Sequence, residues 1–537
     1  MVEIMNITKY ILAGTFMLSL YSCSNKLEYG PDPYAGGKEP VDVVFGEVAP
    51  SPSQAKPGAE VVFSIRGLLK YKDQLKFYIN NMPAQVTNIS DSTLTSIVPE
   101  DCSTGGVKIV VDGQIFAGPM LPIVGKLSVD PTFQSGIGAN SPIYSILKTS
   151  ANQIFIGGNF TDYNGSAAST KIAGIARISN SGEFVRGMQF GQGVTGAITS
   201  MVEMTNKDIL ISGNITQYDT IKLVRNMTTI SSTGALQVKS TPILNLTSDP
   251  AKSNLIVPVF NGGTFSPIVK TFYQNNKVTV VGQFGQYVNN YYTRSTYDNI
   301  LMDIFPMGGV ARMQADGALD DSYFVNKATL PNKGFEGVNG IIADAVLQDD
   351  GKLILVGAFT RFNNTQNANN IVRLKSDGNF DADFQVGSGA NGFVSKISYS
   401  KLTKKYLVTG SFTMFNGKAA NGMVLLNEDG SSDTNFQSLG FASGFPGYAV
   451  QLSNGLILVT GSFGKYNNII REGLMMIDSK GNLVEDYNNT GRLVGAIHDS
   501  LEGTNSLGQK TITLVGQIQS FNGKNNLGNI VRLTLLD

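Results

Sequence analysis

One ten-residue phrase recurs seven times along the chain and constrains its fold more than any other feature. It reads apolar-apolar-Gly-x-Phe-x-x-aromatic-Asn-Gly/Asn. The copies are IGGNFTDYNG at Gly158, ISGNITQYDT at Gly213, VVGQFGQYVN at Gly282, LVGAFTRFNN at Gly357, VTGSFTMFNG at Gly410, VTGSFGKYNN at Gly461 and LVGQIQSFNG at Gly516. A second phrase follows each of the first six and closes in a turn, as in VARMQADG and IVRLKSDG; the seventh ends as IVRLTLLD. Intervals between the marked glycines are 55, 69, 75, 53, 51 and 55 residues. Repeats of this length are single supersecondary units that bury their apolar faces only against one another.

A unit of this size holds four short strands: an inner one, the Gly-x-Phe strand, the Arg/Leu strand and a last one such as Asn379–Phe384. Seven four-stranded blades make a seven-bladed β-propeller. The seventh unit lacks its last strand, and a matching piece, Lys126–Phe133, stands before the first unit. An N-terminal strand completing the last blade would close the ring. The alternative, an open solenoid, needs caps at its ends and gives the displaced strand no purpose. The repeats resemble the delta-60 bacterial propeller repeat across 125–537, with the Gly-x-Phe and Asp-Gly phrases as the specific parts.

Residues 41–124 read as a smaller all-β domain. Alternating runs such as Val61–Ile65, Leu75–Ile79, Thr95–Val98 and Val107–Val111 are punctuated by Pro57-Gly58, Asn80-Asn81, Gly105-Gly106 and Asp112-Gly113, which predicts a sandwich. The run from Pro50 to Gly58, Gly67 at a strand end, and Ile89 to Pro99 resemble the immunoglobulin-like IPT/TIG family. The fold expected is therefore all-β: an IPT/TIG-like sandwich followed by a seven-bladed propeller closed by an N-terminal strand.

Ahead of both lies a leader, residues 1–22. Lys9 precedes an apolar run, Tyr10–Leu20, of eleven residues, the length of a signal-peptide core and too short to span a bilayer. It leads into Leu20-Tyr21-Ser22-Cys23, which resembles the bacterial lipobox and implies acylation of Cys23. Residues 23–40 are rich in Pro and Gly and read as a tether. Glu28 and Asp32 resemble the acidic signal that sends Bacteroidetes lipoproteins to the cell surface, so the expected location is the outer membrane, lipid-anchored and facing outward.

Composition narrows the chemistry. Lys+Arg and Asp+Glu are 41 each, so no overall basic field points to nucleic acid. After processing, Cys102 is the sole cysteine and His498 the sole histidine. Clustered His/Cys metal sites and Cys-His nucleophiles are thereby excluded; no metal, cofactor or catalytic residue is expected. Asp316-Gly317, Asp377-Gly378 and Asp429-Gly430 read as hairpin turns. Arg177, Arg312, Arg373 and Arg532 share one repeat position, which predicts inter-blade salt bridges to the repeat's acidic residues ahead of a ligand-binding array.

Departures from the repeat carry the functional expectation. Excess sequence falls at 241–263, 286–308 and 326–340, connections that should emerge together over blades 2 to 4. Long loops on a rigid ring are where binding residues concentrate. Tyr287, Tyr291, Tyr292, Arg294, Tyr297 and Phe305 make the second insertion a candidate ligand or partner loop, unless they pack onto the ring. Aligned inner strands place Ser145, Ser200, Asp344, Lys396 and Tyr448 in a polar axial channel, filled by water or a ligand.

Anchor, tether, IPT/TIG-like domain and propeller together resemble surface lipoproteins of gut Bacteroidetes encoded with SusC/SusD-like importers. That resemblance implies a non-catalytic accessory subunit of a TonB-dependent nutrient importer, with a glycan or peptide ligand. A cell-surface adhesin is the alternative. A propeller glycosidase or lyase would need a second axial carboxylate beside Asp344.

Overall fold

A computed structural model of the protein describes residues 41–536. Cys23, the 1–22 leader and the 23–40 tether lie outside the described residues. No helix among the described residues is long and apolar enough to cross a membrane. The fold is all-β, with four single 3-10 turns and no α-helix among the described residues.

Two four-stranded sheets come first. One orders Val44–Phe45, Glu60–Arg66, Thr93–Ile97 and Gln85–Ile89; the other orders Met82–Pro83, Lys76–Ile79, Gly105–Val111 and Gln114–Leu121. Alternation along Glu60–Arg66 buries Val61, Phe63 and Ile65, and Phe63 meets Phe77 of the other sheet at 5.0 Å between ring centres. This is sheet-on-sheet packing.

Of the sheets that follow, seven repeat one pattern in chain order. Their first strands are Ile143–Lys148, Val194–Glu203, Ile268–Gln274, Ile341–Leu347, Val394–Ser400, Pro446–Gln451 and Leu493–Thr504. Each first strand lies beside the next one, and Ile143–Lys148 lies beside Leu493–Thr504. Buried side chains fill the spaces between sheets, so the core is a set of layers. Phe155 and Ile175 of the first sheet pack with Ile198 and Ile209 of the second. Ile143 and Ile156 of the first pack with Val515 and Ile530 of the seventh.

The recurring glycines have one steric cause. Every marked glycine pairs with the residue just before a bulge in the first strand, as Gly158 with Ile143 and Gly357 with Ile342. A Cβ there would run into the carbonyl of the residue before its first-strand partner: Pro142 O at Gly158, Ile341 O at Gly357, Ala496 O at Gly516. No other residue type fits such an approach.

The expected fourth strand is nearly lost. In the first six sheets it shrinks to one bridged pair, such as Leu374 with Phe380. Just beyond, Asp381 turns its carboxylate onto the Asp383 N–H, and such local bonding competes with the ladder. In the seventh sheet the fourth place is taken by Leu127–Val129, which pairs with Leu533–Leu535.

The repeated arginines form salt bridges within a sheet, where inter-blade pairs were expected. Arg312, Arg373 and Arg532 bind Asp320, Asp381 and Asp130 through Nε at 2.8, 2.6 and 2.6 Å. Each Nη1 then reaches a turn carbonyl of the neighbouring sheet, Ser376, Glu428 and Asn180. Arg177 has no such carboxylate, because Val185 stands eight residues on where Asp320 and Asp381 stand in their sheets.

Candidate functional site

The seven first-strand bulges set the site. In each first strand the ladder is interrupted just after the pair made by the marked glycine, between Ile143/Ser145, Ile198/Ser200, Ile268/Lys270, Ile342/Asp344, Val394/Lys396, Pro446/Tyr448 and Ile497/Asp499. Bulges re-aim side chains. Ser145, Ser200, Lys270, Asp344, Lys396, Tyr448 and Asp499 therefore form one tier, all lining a cavity of about 810 Å³. Lys270, Lys396, Tyr448 and Asp499 also line a second cavity of about 750 Å³. The tier is thus a waist between two hollows.

Charges at the waist are unequally satisfied. Lys270 bonds Asp344 Oδ1 and the Ala345 carbonyl, both at 2.8 Å. Asp344 is buried, and its Oδ2 takes the Ile397 N–H at 3.2 Å. Lys396 makes only long contacts, 3.4 Å to Asp344 Oδ2 and 3.4 Å to the His498 carbonyl, and lies 5.4 Å over the Tyr448 ring. Asp499 accepts the Ile146 and Ser500 N–H groups. Tyr448 pairs its hydroxyl with Ser500 at 2.7 Å, and Ser200 accepts the Thr271 N–H.

Burial opposes charge on Asp344, but Lys270 and Lys396 hold its carboxyl below the ordinary range. Burial pushes Asp499 up, with less compensation from Lys396. Burial and then Lys396 push the His498 imidazole down. Rings gather at the mouth of the larger cavity: Tyr144, edge-on to His498 at 5.1 Å, and the half-exposed Phe445.

The sequence reading placed five of these seven residues. Lys270 and Asp499 were missed because hairpin lengths vary. Asp499 lies 17 residues before its marked glycine and Lys270 lies 12 before, against 13 or 14 in the other sheets. The apolar-x-polar run ending at the bulge, as in Ile268-Val269-Lys270, was the usable signal.

The second insertion behaves differently from its composition. Tyr287 is buried and donates to the Gly317 carbonyl at 2.7 Å, as Tyr163 does to Gly182 and Tyr466 to Gly481. It is the repeat's own aromatic and cannot reach a ligand. Tyr292 is buried with its hydroxyl on Asn290, and Phe305 packs on the core. Tyr287 and Tyr292 are corrections to the candidate loop, because a side chain used by the fold is hidden from partners, while Phe305 is partly buried. Tyr291 is half-buried under Arg294, 5.3 Å over its ring, and both Arg294 and Tyr297 are exposed.

The three insertions are knitted together. Val238–Pro242 pairs with Asn254–Pro258, and Gly263–Thr264 with Gln286–Asn290, which pairs with Met302–Pro306. Val325–Asn326 pairs with Lys333–Gly334, beside Met302–Pro306. The Leu244 N–H bonds Ser295 O, the Gly308 N–H bonds Phe335 O, and Lys252 meets Asp298 at 3.3 Å. Leu246, Ile256, Tyr297, Ile304 and Leu330 stand exposed on this platform.

Two successive repeats carry a family signature. Residues 348–384 and 403–436 match the family described as "Domain of unknown function (DUF5122) beta-propeller", and residues 20–119 match "Domain of unknown function (DUF5008)". No curated protein matches the chain. Among solved structures, the WD40 β-propeller domain of Doa1 is 12% identical, covering 76% of this chain and 96% of its own, with a TM-score of 0.39. Structures described as auxiliary nutrient binding proteins from Bacteroides thetaiotaomicron and Bacteroides ovatus are each 10% identical. Each covers 92% of this chain and 97% of its own, with TM-scores of 0.29 and 0.28. The functional reading therefore rests on the chain's own residues.

Proposed function

We propose that this protein is a non-catalytic binding subunit, lipid-anchored through Cys23 on the outer face of the outer membrane and docked on a SusC/SusD-like importer. Its scaffold is a closed seven-bladed propeller. Support for closure comes from the first and seventh sheets, which lie side by side and share a core layer, and from Leu127–Val129 in the last blade. The observation that carries the function is the platform: three insertions, separate in sequence, merge into one hydrogen-bonded surface with exposed Leu246, Ile256, Tyr297, Ile304 and Leu330. Contiguous exposed apolar surface marks interaction sites.

Purification of the protein from detergent-solubilised outer membranes tests this. The importer should co-purify, and Leu246→Glu with Ile304→Glu should abolish that while leaving the melting temperature unchanged. Recovery of no importer with the unaltered chain overturns the docking. Deleting 286–308 is unsuitable, because it removes buried Tyr287, Val288 and Met307.

Asp499 favours a second reading. It supplies a second axial carboxylate, and the waist holds Asp344 ionised while pushing Asp499 toward its protonated form, the split that an acid–base pair uses. Against catalysis, Lys270, Lys396 and the Ile397 amide engage both oxygens of Asp344. Glycoside hydrolysis abolished by Asp499→Asn would establish the enzyme and displace the binding subunit.

A further inference from the structure

We propose that the larger cavity binds a small organic anion with a ring-bearing body, its acidic group held by Lys396 beside Ser145 and Ser200. The inference rests on the binding reading but not on the docking platform.

The cavity, about 810 Å³, is of the size that encloses small ligands. Of the two waist ammonium groups, Lys270 is satisfied at 2.8 Å by Asp344 and by the Ala345 carbonyl. Lys396 is not: its two contacts are 3.4 Å each, beyond the usual range for a charge-assisted bond. Its side chain keeps 23% of its surface open. Asp499 makes no ion pair within 4.0 Å among the described residues, and both its oxygens already accept backbone N–H groups. Burial pushes its carboxyl up, and the one carboxylate within 4.0 Å of Lys396 among the described residues is Asp344, which Lys270 already engages.

The smallest residues of the tier, Ser145 and Ser200, belong to neighbouring sheets and leave the room. A ligand oxyanion reaching Lys396 would meet hydroxyl donors there. A cation would instead meet the two lysine side chains of the waist and be repelled by their like charge. Tyr144, His498, Phe445 and Tyr448 supply flat faces for the rest of the ligand.

His498 is the only histidine of the chain and lines the cavity, so its ring-carbon NMR signal reports occupancy directly. The full-length, untagged protein in detergent would be titrated with benzoate, phenyl phosphate, phenyl sulfate, benzyl alcohol and benzylamine. The anions should shift the His498 signal saturably, and their ranking identifies the acidic group preferred. Benzyl alcohol and benzylamine should leave the signal in place. Lys396→Met should weaken anion binding at least about tenfold, or about 1.4 kcal/mol. Equal response to all five probes, no response to any, or unchanged affinity in a folded Lys396→Met protein overturns the proposal. The platform substitutions Leu246→Glu and Ile304→Glu should leave this titration intact, so loss of docking and loss of anion binding are read separately.

Discussion

Arg373 and Asp381 show how much of this fold is fixed by single side chains. Both are buried, 2.6 Å apart, with the guanidinium 4.4 Å over Phe384. Asp381→Ala would strand a buried cation, and breaking such a pair costs about 3–5 kcal/mol; urea unfolding should show a loss of that order. Arg177 offers the converse. Its Nε is buried without a partner, and Val185 occupies the place of the missing carboxylate. Val185→Asp should therefore raise stability by about 1 kcal/mol, measured in the same way. At the waist, two carboxylates pull in opposite directions with pH. Asp344 is held low, so its contribution is present above the unfolded value near pH 4 and is lost as pH falls through the folded value. Asp499 is pushed up, so its contribution is present below that unfolded value and is lost as pH rises through the folded one. At neutral pH, Asp344→Asn should lower the melting temperature and Asp499→Asn should raise it.

At the scale of elements, the strand Leu127–Val129 carries the most weight for its length. Ser128 and Thr534 face each other across the ladder with hydroxyls 2.6 Å apart, though 406 residues separate them. Ser128→Cys with Thr534→Cys places two thiols in register, and Cys102 is buried and does not compete. By loop-closure scaling, a crosslink over so long a loop stabilises by up to about 6 kcal/mol. A melting temperature that falls on reduction of the double variant, and not of the parent, is the expected result. The repeat made this strand legible, because Asp130-Pro131-Thr132-Phe133 carries the same Asp and aromatic as Asp381-Ala382-Asp383-Phe384. The marked glycines were legible for the same reason: one steric demand, imposed seven times, leaves one residue type. Features that occur once were not legible. Asp499 slipped from the alignment because its hairpin is longer than the others. Tyr287 was credited to the insertion although it belongs to the repeat phrase, since a cluster of tyrosines in sequence does not say which of them the core has claimed.

The two bodies of the molecule meet through a small set of polar contacts. The Thr104 N–H bonds the Asn489 carbonyl at 2.8 Å, and Asn489 Nδ2 reaches the carbonyls of Ile123 and Leu127. Buried Arg471 donates to the Asp101 carbonyl at 2.9 Å. The sequence reading set the boundary between sandwich and propeller at 124/125, and residues from Val44 onward form one compact unit. Asn489 explains this: it bonds the chain on both sides of the boundary, so the connection between sandwich and sheets is clamped where a free linker would pivot. Orientation is thereby fixed for whatever the platform and the cavity hold. Asn489→Ala with Arg471→Ala removes the side-chain bonds of both clamps and keeps the main-chain bond from the Thr104 N–H to residue 489. Small-angle scattering should then report a larger radius of gyration for the variant than for the parent, with the far-ultraviolet spectrum of β-structure retained. An unchanged radius would mean that the main-chain bonds and apolar contacts suffice to hold the sandwich in place.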